Sequence, residues 1–282
     1  MSDDQQTDPA AEASAEELRE ALADPELAGQ VRDVLRHLGS APFDPLAGAF
    51  GQQPGLDRAA AAREAAARPL AGRTVVVDPG HQLGNARFPR EVGRLVDARG
   101  LRKPCNSTGT ATDAGYPEAT FAWEVATRVR DRLRSLGARV VLTRTADSAS
   151  RWGPCVDERG RAADGADLLL SIHGDGAAPG ASGFHVIVGD RYGPRGRSTA
   201  YARDTRAALQ RAGFTRSTYV GAGSALSFRD DLGTLNWAEP PAVMVELGNM
   251  RNRGDAAVMT IPAGQARYAR ALARAARTFL TR

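Results

Sequence analysis

Cysteine, histidine and aromatic side chains are all scarce in this 282-residue chain: two cysteines, four histidines and 6% aromatics. Two distant cysteines, Cys105 and Cys155, make a poor metal pair. With so few aromatics, no stripe of aromatic and basic residues singles out a nucleic-acid surface, and no nucleic-acid partner is expected. No run approaches the roughly 18 apolar residues that a membrane helix requires, so no membrane span is expected. The N-terminus, Met1-Ser2-Asp3-Asp4, is acidic and polar, with neither the basic start nor the apolar centre of a signal peptide. Read literally, that favours a cytoplasmic protein.

What is present suits a globular fold with a proper core: 42% hydrophobic and 25% charged residues. The length allows one large domain, or one domain with an appendage. Charge is unevenly placed. Residues 1–70 carry 13 acidic and 6 basic side chains, a balance of −7, and the remainder of the chain carries +11. A basic body suits an anionic partner such as nucleic acid, a membrane surface or an acidic wall polymer; it also suits plain solubility.

Residues 1–70 read as an N-terminal extension and linker. The first 14 are acidic, alanine-rich and predicted disordered. A helix is predicted over Ser14–Gly39, opened by a capping box of Ser14 and Glu17. Its apolar stripe includes Leu18, Leu22, Val31 and Leu35, and its histidine, His37, is expected at a surface or in packing. Residues 40–56 read as linker, and 57–68 as a second alanine-rich helix.

From Arg73 onward strands and helices alternate. Strands are predicted at Thr74–Asp78, Arg139–Thr143, Asp167–His173, Gly183–Val188 and Ala242–Glu246. Helices are predicted at Pro117–Leu136, Val156–Ala163, Ser198–Ala212 and Ala263–Leu280. This order implies an α/β domain over residues 71–282, a mostly parallel twisted sheet with helices on both faces.

Three strands share one grammar: an apolar run, a polar residue able to ligate, then a turn. They are Val75-Val76-Val77-Asp78-Pro79-Gly80-His81, Leu168-Leu169-Leu170-Ser171-Ile172-His173, and Ala242-Val243-Met244-Val245-Glu246-Leu247-Gly248-Asn249. In a parallel sheet these ends meet on one rim, where ligand crevices form. Two imidazoles and a carboxylate on that rim are what zinc or a similar divalent ion needs. A hydrolytic site also keeps one position open for water, so a third protein ligand is wanted. Glu118 suits better than Glu124, because Glu118, Phe121, Ala122, Val125, Val129 and Leu133 form one buried stripe. Each signal alone has an ordinary alternative: a histidine in a loop, or a first-turn glutamate serving the helix dipole. His185, in mid-strand, reads as structural or as a support to the site.

These blocks resemble the zinc-dependent N-acetylmuramoyl-L-alanine amidases of the amidase-3 type. Asp78-Pro79-Gly80-His81, Ser171-Ile172-His173 and Val245-Glu246-Leu247-Gly248 occur in the family's order. Gly115-Tyr116-Pro117-Glu118, Gly153-Pro154-Cys155 and Gly183-Phe184-His185-Val186 resemble its single-domain actinobacterial members. The resemblance implies one zinc ion per chain on His81, Glu118 and His173, with Glu246 as the catalytic carboxylate. It implies hydrolysis of the bond between the lactyl group of muramic acid and L-alanine, in peptidoglycan or muropeptides, by a monomer. Asp78 and Asn249 become candidate supports of the ligands or substrate contacts, with turn formation as the alternative. Cys105 and Cys155 match positions that relatives join by a disulfide, worth about 4 kcal/mol for a loop of this length. The resemblance places the protein in the periplasm, the cell wall or outside the cell, against the cytoplasmic alternative suggested by the N-terminus. A non-catalytic peptidoglycan-binding relative is the competing reading; it would have lost ligands, and here all four positions are filled.

Overall fold

The structure is a computed structural model that describes Arg63 and residues 66–282. The expectations for 1–56, and residues 57–62, 64 and 65 of the helix expected over 57–68, lie outside the described residues. The described residues begin next to the domain boundary expected at 70/71.

Strand β1 (Thr74–Pro79) is followed by a short helix α1 (Pro89–Gly93) and a small hairpin, β2 (Leu95–Asp97) and β3 (Arg102–Pro104). Then come α2 (Glu118–Ser135), β4 (Arg139–Leu142), α3 (Val156–Arg161), β5 (Leu168–Asp175) and β6 (His185–Gly189). The chain finishes with α4 (Arg195–Arg211), β7 (Leu226–Arg229), α5 (Gly233–Trp237), β8 (Ala242–Asn249), α6 (Arg253–Met259) and α7 (Pro262–Leu280).

Six strands form one mixed, mostly parallel sheet in the order β4-β1-β5-β8-β6-β7. The first four run parallel, β6 runs antiparallel to β8, and β7 parallels β6. The reversal at β6 has a simple cause. Only residues 176–184 separate it from β5, too few for the crossover of a dozen or more that a parallel return demands.

The period-two geometry of the strands divides the core. Val75, Val77, Leu168, Leu170 and Ile172 pack with Phe121, Val125, Tyr201, Leu209, Tyr268 and Leu272 from α2, α4 and α7. On the other face Val76, Leu169, Ile187 and Met244 meet Ala163, Leu235 and Ala238 beside α3 and α5. Residues two positions nearer the rim on these strands keep the smaller face, which therefore carries Asp78, Ser171 and, on the antiparallel β6, His185.

Candidate metal centre

β1 ends at Pro79, Gly80 follows, and His81 takes the left-handed region at φ 56°. That conformation costs a residue with a Cβ about 1–2 kcal/mol. His173 sits near the end of β5, and Glu118 opens α2, which packs on the opposite face but begins at the rim. The structure brings these three together: their ligand atoms all lie within 4.8 Å of one another. Glu118 Oε1 is 3.1 Å from His81 Nε2 and 2.9 Å from His173 Nδ1.

The surroundings shape this trio. Thr110 N–H donates to Glu118 Oε2 at 2.9 Å and Gly174 N–H to Oε1 at 3.2 Å. His81 Nδ1 lies 3.1 Å from the Ser107 carbonyl, leaving Nε2 to face the centre. A Cβ at Gly80 would stand 2.3 Å from the His173 ring, and one at Gly109 would stand 2.8 Å from Glu118 Oε2. Only glycine permits the approach at these two positions. A nearly buried carboxylate between two imidazoles is a donor set that fits a borderline-soft divalent cation. Burial would raise the Glu118 carboxyl, yet the two histidines outweigh it and hold it below the usual carboxylate range.

Glu246 lies directly across from His173 in the β5–β8 register. Its other neighbour, across β6, is His185, so three polar side chains stand in a row on adjacent strands. Glu246 Oε2 and His185 Nδ1 are sealed from solvent with no hydrogen-bond partner among the described residues. Burial first, then repulsion from Glu118 and Asp175, raises the Glu246 carboxyl well above its ordinary value. Two carboxyls side by side are thus pushed in opposite directions, the pattern that separates a charged ligand from an acid–base group.

A cleft of about 630 Å³ opens on His81, Glu118, His173 and Glu246, with His185 behind it. The segment between His81 and Glu118 supplies one wall through Lys103, Pro104 and Asn106–Thr110, while Ile187, Met244, Arg229 and Asp231 supply another. Arg229 and Lys103 both reach Asp231, which joins β3 to the loop after β7. Cys105 and Cys155 form a disulfide that fastens the end of this hairpin to the start of α3.

Asp78 and Asn249 do different work. Asp78 is fully buried, taking Arg159 Nη1 at 2.5 Å, Ser171 Oγ at 2.6 Å and Thr143 Oγ1 at 2.5 Å. Asn249 receives the N–H groups of Ala177 and Arg251 and donates to the Ala178 and Ala181 carbonyls, bracing the loop after β5. Glu124 is spent on Tyr116 and Gln265 beside α7. Sequence reasoning passed over Arg144 and Arg159, two buried arginines around the His81 turn. Nothing local distinguishes them in an arginine-rich chain.

Comparison with known proteins agrees with this geometry. Residues 75–278 match the model of a family described as N-acetylmuramoyl-L-alanine amidase. The N-acetylmuramoyl-L-alanine amidase Rv3717 of Mycobacterium tuberculosis is 40% identical over 220 residues, spanning 75% of this chain and 88% of that protein. The crystal structure of the N-acetylmuramyl-L-alanine amidase Ami1 from Mycobacterium smegmatis is 40% identical with a TM-score of 0.70, covering 75% of this chain and 98% of its own. Its counterpart from Mycobacterium abscessus is 41% identical with a TM-score of 0.70, covering 75% and 100%.

Proposed function

This chain belongs to the N-acetylmuramoyl-L-alanine amidase family, and we propose that it hydrolyses the amide between the lactyl group of N-acetylmuramic acid and L-alanine, with one zinc ion on His81, Glu118 and His173. The observation that carries this reading is the convergence of three donors from three separate elements, with Glu246 beside them in strand register. Zinc bound there would supply Lewis acidity for the amide carbonyl and for a nearby water.

The chain's own groups do the rest. With the metal bound, His81 and His173 would each offer a ring nitrogen and Glu118 its carboxylate. Glu246 accepts a proton from the attacking water and returns it to the L-alanine nitrogen as the carbon–nitrogen bond breaks. Its raised proton affinity suits the second of those roles. Ile187 and Met244 give one wall of the cleft an apolar stretch.

The substrate is peptidoglycan or a muropeptide derived from it, and all four groups come from one chain, so a monomer suffices. The disulfide suits an oxidising compartment, which agrees with action at the cell wall or outside the cell. Among the described residues no helix is long and apolar enough to cross a membrane. The test is digestion of purified muropeptides by the zinc-loaded chain, followed by mass spectrometry. Free stem peptide and intact sugar are expected. Cleavage between sugars, release of free D-alanine, or no product at all would reject the activity.

A further inference from the structure

Arg144 stands two residues beyond β4, on the edge of the sheet, and is 4% exposed. It does not line the cleft. Its guanidinium nevertheless holds the backbone on both sides of the metal centre. Nε donates to the Pro79 carbonyl at 3.1 Å and Nη2 lies 3.4 Å from the Gly80 carbonyl, just before His81. Nη2 also donates to the Ala119 carbonyl at 2.6 Å, just after Glu118. Nη1 reaches Gln82 Oε1, the Ala146 carbonyl and Asp147 Oδ1 at 3.0–3.2 Å.

Asp147 completes the tie. Its Oδ2 accepts from Thr120 Oγ1 at 2.7 Å, in the first turn of α2. One ion pair, its arginine buried and its aspartate partly so, therefore touches the chain at Pro79, Gly80 and Gln82 around one candidate ligand, and at Ala119 and Thr120 beside another. Arg159 grips the same turn from the other face: Nη1 donates to the Pro79 carbonyl at 2.8 Å and Nη2 to the His81 carbonyl at 2.7 Å. Among the described residues Arg159 makes no hydrogen bond to α2, so bridging the two candidate ligands falls to Arg144.

We infer that Arg144 is a positioning residue that sets the His81 turn against the start of α2, and so governs how tightly the centre holds its metal. This rests on the metal reading above. His81 occupies a costly backbone conformation that something must hold. A metal site works only when its donors are fixed to within a few tenths of an ångström. The apolar stripe from Phe121 to Leu133 secures the body of α2, while the contacts of Arg144 and Asp147 tie its first residues to the His81 turn. Lysine cannot replace this grip, because an ammonium offers three donors from one point and no planar fork.

The experiment measures the zinc dissociation constant of the whole chain by chelator competition, with the melting temperature recorded without and with zinc. For Arg144→Lys the expected result is zinc binding about 10–100-fold weaker, as for other groups that orient ligands, and a smaller zinc-induced rise in melting temperature. A role confined to folding would lower the metal-free melting temperature and leave the zinc affinity within twofold of wild type; that result overturns the inference. Should Arg144→Lys not fold, Asp147→Asn keeps the guanidinium and removes its anchor to Thr120. It is expected to weaken zinc binding in the same direction but less, and an unchanged zinc constant in a folded Asp147→Asn chain overturns the inference equally. Wild type that fails to bind zinc would instead sink the metal reading on which Arg144's role depends.

Discussion

The two halves of the rim are built on opposite terms. On the side of β1, β5 and α2, polar groups are held several times over. Asp78 takes three donors, the Pro79 carbonyl takes two guanidinium contacts, and Glu118 takes two backbone N–H groups besides its histidines. On the side of β8 and β6, Glu246 Oε2 and His185 Nδ1 are buried with no partner among the described residues. Satisfied networks rigidify, while an unpaired buried polar atom is costly and stays available for whatever enters. On the function proposed above, the ligand half would hold geometry, while Glu246 in the base half would keep its capacity for a proton.

Exchanging charge for amide in each half should break the protein in different ways. Glu118→Gln is expected to lose bound zinc, read by metal analysis after dialysis, because a neutral amide replaces the only anionic donor of the three. Glu246→Gln is expected to keep its zinc and to lose about 10²–10⁴-fold in kcat. Zinc loss from Glu246→Gln with retention in Glu118→Gln would erase the division between the halves.

Stability should follow the same line with a smaller effect. Burial alone would raise the Asp78 carboxyl, but Arg159 and the hydroxyls of Ser171 and Thr143 hold it below its usual value. Breaking such a pair leaves a buried guanidinium short of its counter-charge, so Asp78→Asn should cost about 3–5 kcal/mol in urea unfolding. Glu246→Gln, which relieves a carboxyl disfavoured by its surroundings, should leave stability unchanged or raise it. Equal losses in both variants would mean that the two halves are equally committed.

The ligand half was the more legible one in sequence, for a physical reason. Its ligands sit where local rules operate: a β-branched run stopped by Pro79-Gly80, and a helix whose three-and-four spacing buries Glu118 with Phe121 and Val125. The other half depends on strand register between distant segments. His185 reads in sequence as structural or as a support to the site, and its place opposite Glu246 follows only once β6 is turned antiparallel. The nine-residue connection after β5 was the available clue. The three-residue strands of the β2–β3 hairpin are too short to carry a period. Arg144 and Arg159 act on backbone carbonyls, which no residue pattern records. Asn249 drew notice from its neighbours in sequence, whereas its hydrogen bonds go to the loop after β5.

The smallest expected effect probes the unpartnered half directly. Burial lowers the His185 imidazole to about 4, against the pull of Asp175 and with some help from Arg229. Tyr219 closes the remaining side with its ring edge-on at 5.9 Å, its hydroxyl already donated to Asp175. The unfolded chain takes up this proton near pH 6.5, before the folded one does. His185 therefore contributes full stability above about pH 6.5 and loses it as the pH falls toward 4, on the order of 3 kcal/mol in all. His185→Phe removes that component. Urea unfolding of the metal-free proteins between pH 7.5 and 4.5 should show wild type losing its advantage over the variant by on the order of 2–3 kcal/mol. A difference that stays flat across this range would mean that the imidazole protonates freely in the folded protein, and that the wall beside Glu246 is no less satisfied than the ligand half it faces.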